Sequence, residues 1–132
     1  LYKTKKKERK PIPKESAKRK IDNRHYRDRI IAFWNNAVEK KENRCFFCNK
    51  LMEYREDIHH ILGRGKFLLE EEWWALAHRE CHSIYHGPAD VLVSQPWFEN
   101  FMRRLKKKSI KTYYKTIDRI NKAELEFKEE EL

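Results

Sequence analysis

A mostly helical α+β fold is expected for this chain of 132 residues, a length that holds one compact domain with tails or two very small domains. Glycine and proline are scarce, at three and four residues, which disfavours a turn-rich β-sandwich and favours helices. Apolar residues recur at helical spacing on both sides of the centre. Tyr26, Ile30, Phe33, Trp34, Ala37 and Val38 form one stripe, behind Asp22 as a possible cap. Trp97, Phe98, Phe101, Met102 and Leu105 form a second, and Ile110, Tyr113, Tyr114, Ile117 and Ile120 a third. The first stripe reads most simply as core, and the third is expected to pack on the first helix, with pairing to another chain as the alternative. The stretch between them, Asn43 to Gly87, holds all three Cys, five of the six His and all three Gly.

Four segments follow from this pattern. Residues 1–20 read as a basic arm, disordered alone and suited to lie along phosphates, or simply a solubilising tail. Residues 21–42 form an N-terminal helix, residues 43–90 a Cys/His-rich core, and residues 91–132 C-terminal helices that fade into an acidic end at Glu129–Glu131. The net charge of +10 divides unevenly. The first twenty residues carry ten basic side chains against two acidic, residues 21–102 are slightly acidic, and residues 103–132 carry ten basic against six acidic. Aromatics make up 13% of the chain and include four Trp, so large apolar groups are present to bury and a disordered polyelectrolyte is excluded. No apolar run approaches the roughly 20 residues of a membrane span, and no secretory signal is visible. The expectation is a soluble, intracellular protein with a polyanionic partner and no membrane contact.

Three cysteines cannot form a paired disulfide framework. Cys45 and Cys48 have the two-residue spacing that lets both thiolates reach one zinc ion, and a structural zinc needs two ligands more. His78 and Cys81 repeat that spacing about 30 residues on, which predicts a closed Cys3His zinc site. Buried free thiols beside Phe46 and Phe47 are the plainer alternative. Four of the central histidines then remain: His59, His60, His82 and His86. His82 and His86 share a face if Arg79–His86 is helical, whereas adjacent residues on a strand point oppositely, so His59 and His60 cannot both face one metal.

The stretch CFFC…DIHHILGRG…WWALAHRECHSIYH resembles the HNH nucleases, whose site is a ββα-metal hairpin, and especially small phage-borne members. Its zinc knuckle is similar to that of the phage recombination endonuclease VII type. The resemblance covers about residues 43–90, a third of the chain. It implies His59 and His82 as ligands of a catalytic divalent ion, His86 as a further ligand, and His60 as the general base. It also implies a first strand at Glu56–His60, a loop over Ile61–Glu72, a second strand at Trp73–Ala77, and then the helix. The fold expected is thus a zinc-stapled ββα-metal hairpin flanked by amphipathic helices.

Two positions depart from the family pattern. His78 replaces the usual Cys but remains a competent zinc ligand, and the central Asn that steadies the loop would fall near Trp73, where there is none. The function implied is metal-dependent hydrolysis of DNA phosphodiester bonds, by nicking or double-strand cleavage, in phage DNA processing or recombination. The setting would be the cytoplasm of an infected bacterial cell, the catalytic ion Mg, Mn, Ni or Zn, and the assembly a monomer or homodimer. Backbone contacts to DNA are expected from Arg64 and Lys66 in the loop and from Arg103, Arg104, Lys106, Lys107 and Lys108, although a solvated helix face competes for the latter run. The rival reading is a non-catalytic zinc-stapled module that binds nucleic acid or a host protein.

Overall fold

The computed structural model describes Pro11, residues 16–65 and residues 67–123. Most of the basic arm, Lys66 and the acidic end lie outside the described residues. The fold is mostly helical α+β, with five helices and one two-stranded antiparallel sheet among the described residues.

Helix α1 spans Ala17–Glu39. It starts four residues before the expected boundary, because the Ser16 hydroxyl, not Asp22, caps it by accepting from the Arg19 amide at 3.1 Å. Lys18, Arg19 and Lys20 are good helix formers once that cap is present, so the arm's last residues join the helix. No residue of α1 is fully buried, but Tyr26, Ile30, Phe33, Trp34 and Ala37 pack against the core as expected. Val38 does not; it is exposed, one residue beyond the inward-facing Ala37.

After α1 a tight knuckle runs from Asn43 to Met52, closed by a bridge between Arg44 and Leu51. Its turn places Asn49 at a φ of 61°, a left-handed conformation that Asn tolerates, and the Asn49 amide donates to the Cys45 carbonyl. Strand β1 (Asp57–His60) pairs with β2 (Trp74–Ala77), with Asp57 opposite Ala77, His59 opposite Ala75 and His60 opposite Trp74. Trp73 belongs to a 3-10 turn at Glu71–Trp73 and not to the expected strand. Glu56 also precedes the strand it was expected to open; its carboxylate accepts from the Arg79 amide at the start of α2.

Helix α2 (Arg79–His86) has the expected bounds. A short α3 (Ala89–Val93), not anticipated, follows Pro88, and then come α4 (Phe98–Lys108) and α5 (Ile110–Lys122). Ser109 both ends α4 and caps α5, accepting from the Thr112 amide at 3.3 Å. The core joins Phe47 of the knuckle, Tyr85 of α2, Phe101, Met102 and Leu105 of α4, and Tyr113 and Ile120 of α5. Period-two alternation splits the hairpin's faces. His60 and Trp74 face α1, where Trp74 meets Tyr26 and Phe33 edge-on, and Asp57 and His59 face α2.

Candidate metal centres and active-site cleft

The knuckle and the start of α2 bring Cys45, Cys48, His78 and Cys81 together, with one ligand atom from each lying within 4.8 Å of the others. The Phe46 amide donates to the Leu76 carbonyl, which fixes the knuckle on β2 two residues before His78. His78 is the N-cap of α2 yet makes no side-chain cap bond. Its imidazole turns instead to Cys48, with Nδ1 at 3.3 Å from Sγ, while its amide points at the Cys45 sulfur at 3.4 Å. Tetrahedral zinc at about 2.3 Å from sulfur would set its sulfurs about 3.8 Å apart, so this group is close to the required size. Burial pushes the Cys45 thiol up, and burial together with the other two sulfurs pushes Cys81 up further. A cation among the sulfurs removes that penalty on the thiolates. The group is suited to hold a metal.

A second group lies on the α2 side of the hairpin. His59, His82 and His86 each place a ring nitrogen within 4.8 Å of the others. His82 and His86 are one helical turn apart, with their Nε2 atoms 3.1 Å from each other. Asp57 holds His82 at Nδ1, 3.1 Å from its carboxylate, which leaves Nε2 for a metal; this is the carboxylate–histidine arrangement that fixes a metal-binding tautomer. His59 is only 3% exposed, and neither of its ring nitrogens has a hydrogen-bond partner. A buried imidazole with two unsatisfied nitrogens is costly unless something coordinates it, and a metal at this position would do so.

His60 turns the other way, as alternation requires. Its Nε2 lies 2.9 Å from the Tyr26 hydroxyl of α1, and its Nδ1 has no hydrogen-bond partner among the described residues. Arg64 lies over the Tyr26 ring, 5.4 Å from its centroid. His60, Tyr26, Arg64 and His82 line one cleft of about 500 Å³, open to solvent beside β1. The base candidate and a metal-ligand candidate therefore meet in the same cleft from opposite faces of the hairpin.

Burial, followed by the charges of Arg64 and His82, lowers His60 to about 4, and burial with the neighbouring histidines lowers His59 to about 3. In the unfolded chain both would titrate near the usual value of about 6.5. Between these values the unfolded chain binds more protons than the folded one, so stability falls as pH drops below about 6.5. Protonation of metal ligands acts in the same direction. Thermal melts should show a falling Tm from about pH 7 to about pH 5, with a shallower slope for His59→Gln. A Tm that rises through this window would contradict the burial of neutral imidazoles.

The loop after His60 is anchored without the absent Asn. Trp74 Nε1 donates to the Leu68 carbonyl at 3.0 Å, Arg29 donates to the Leu69 carbonyl at 2.8 Å, and the Thr112 hydroxyl donates to the Ile61 carbonyl at 3.3 Å. Trp73 is half-buried under the Lys108 ammonium, 5.2 Å from its ring centroid.

Of the expected α4 clamp, Arg104 is engaged in packing, while Arg103, Lys106, Lys107 and Lys108 are exposed. Arg104 donates through Nε and Nη2 to the Phe46 carbonyl and through Nη2 to the Phe47 carbonyl, locking the knuckle to α4. Lys106 lies over the Tyr113 ring, Lys108 over Trp73, and Arg103 donates to Asn100. Tyr26 is the functional candidate that pattern reasoning assigned to core alone; its polar end on a helix stripe was the available signal.

Among the described residues, no helix is long and apolar enough to cross a membrane. No protein-family model, curated protein or solved structure matches this chain.

Proposed function

We propose that this chain is a metal-dependent nuclease of the HNH, ββα-metal type that hydrolyses DNA phosphodiester bonds, with Cys45, Cys48, His78 and Cys81 holding a structural zinc. One observation carries the reading. Adjacent strand residues divide the labour, His59, whose two nitrogens have no partner, joining His82 and His86 while His60 opens on the cleft that His82 also lines. Supporting it is the donor chemistry: three sulfurs and an imidazole suit closed zinc, whereas three imidazoles leave coordination positions open for phosphate and water.

A divalent ion bound by His59, His82 and His86 would supply positive charge to the scissile phosphate and the departing 3′ oxygen; Zn, Ni and Mn suit imidazole, and Mg suits it once substrate oxygens and water complete its shell. His60 takes the proton of the attacking water. Its lowered pKa keeps it neutral at pH 7, so the lone pair is available. In the tautomer with Nε2 protonated, the ring donates to the Tyr26 oxygen and Nδ1 keeps its lone pair for water. Tyr26 thus orients the base in place of the family's Asn. The rival reading, a zinc-stapled binding module, draws on that missing Asn, which the Tyr26 bond and the three loop anchors answer.

Loss of the 3′ oxygen leaves a 5′-phosphate and a 3′-hydroxyl. Nicks made in plasmid DNA should therefore be resealed by DNA ligase, and nicks that ligase cannot close would contradict this direction of attack. Tyr26→Phe keeps the ring on Trp74 and removes the hydroxyl. A neutral hydrogen bond of about 1 kcal/mol predicts a kcat lower by about fivefold to tenfold, with KM and metal content unchanged. An unaltered kcat would show that Tyr26 does not position the base.

A further inference from the structure

We infer that the nucleic-acid backbone is gripped by α1 and not by α4, along a phosphate track of Lys20, Arg24, Arg27 and Arg64 that leads into the His60 cleft. The identity of the partner rests on the nuclease reading above; the track itself rests on placement and charge.

Lys20, Arg24 and Arg27 stand at i, i+4 and i+7 on α1 and so share one helix face. All three are exposed. Together with Asn23, Tyr26 and Arg64 they line a cleft of about 550 Å³. Tyr26, Arg27 and Arg64 also line the His60 cleft, so the two are continuous. At 1.5 Å of rise per residue, Lys20 to Arg27 covers about 10 Å, which matches about three nucleotides of one duplex strand.

None of these four cations lies within 4.0 Å of a carboxylate among the described residues. Asp22 and Asp28 of α1 line neither cleft. Glu56 and Asp57 do line the inner cleft, where Asp57 is paired with Arg79 and His82 while Glu56 accepts from the Arg79 amide and keeps its charge. The outer cleft is therefore lined by four cations and no carboxylate, and the inner one, beside His60, by three arginines against two carboxylates. On α4, by contrast, Arg104 is bound to knuckle carbonyls, and none of Arg103, Lys106, Lys107 and Lys108 lines either cleft. A polyanion strand is the ligand whose charge and length fit such a track.

The test is fluorescence anisotropy of a labelled DNA duplex of about two helical turns, titrated with the 132-residue chain carrying His60→Ala, with no divalent ion added, so that cleavage is suppressed. Arg24→Glu with Arg27→Glu should weaken binding at least about tenfold and reduce the slope of log K against log salt by about 2. Lys107→Glu with Lys111→Glu makes the same charge change on α4 and α5 and should stay within about threefold of the parent. Arg24→Gln with Arg27→Gln should shift binding in the same direction as the Glu pair but less, separating lost attraction from added repulsion. All the altered side chains are exposed, so Tm should hold. Equal weakening by the two Glu pairs, no weakening by the α1 pairs, or no duplex binding by the parent would each overturn the track. Binding through α1 without plasmid nicking in any metal would sustain the track and remove the nuclease reading.

Discussion

Replacing Cys45 by Ser is expected to release the metal from the knuckle site and to destabilise the whole domain. Cys45 is 1% exposed and lies at the point where the knuckle meets β2 and α2. A structural zinc stabilises because the assembled site exists only in the folded chain, so its binding energy becomes folding energy. Loss of one of four ligands removes much of that energy and leaves the other sulfurs crowded around a weakly held ion. The expected cost is several kcal/mol, about 3–5, enough to lower Tm by at least about 10 °C in a domain of this size. The effect should reach the aromatic core, because Phe46 and Phe47 lie between the two knuckle thiols and carry the Arg104 bonds. Thermal melts with parallel elemental analysis check this. Full zinc content and an unchanged Tm in Cys45→Ser would show that the sulfur group is merely a cluster of buried thiols.

His60→Ala should produce the opposite profile, with a large loss of activity and little loss of structure. A positioned general base contributes about 10²- to 10⁴-fold, and cleavage should fall by that range. The histidine trio is untouched, because His60 faces α1 while His59 faces His82 and His86. Metal content should therefore remain that of the unaltered chain. His60 is half-buried and makes one side-chain hydrogen bond, to Tyr26, so Tm should change by only a few degrees. His82→Ala should instead remove the second metal while sparing the Cys3His centre, since His82 belongs to the trio alone. Elemental analysis of both variants beside their cleavage rates separates the base from the ligand. Equal metal loss in the two would contradict their assignment to different faces.

The parts of the site governed by local spacing were legible in the sequence. The Cys45–Cys48 and His78–Cys81 spacings matched one convergent group, and the period of a strand correctly separated His59 from His60. Helix α2 could be bounded because His78 and Gly87 flank an amphipathic eight-residue run. What escaped depends on packing between distant segments. Nothing local to Tyr26 says that its hydroxyl meets an imidazole 34 residues away. Nor does the run Arg103–Lys108 reveal that Arg104 is taken up by carbonyls of the knuckle, since a charge pattern on a helix does not specify what covers its face. The early start of α1 was hidden by its basic residues, which read as an arm until the Ser16 cap is seen. The cations that line the clefts beside His60 come from α1, Arg55 and Arg64, and none from α4.

The central claim is that the cleft beside His60 hydrolyses DNA. Conversion of supercoiled plasmid to open circle, followed with Mg, Mn, Ni or Zn added singly, tests it most directly. The account predicts nicking with at least one of these ions, none when all metal is withheld, and loss of that nicking in His60→Ala at unchanged metal content. Intact plasmid in every metal, or nicking that persists undiminished in His60→Ala, would contradict it.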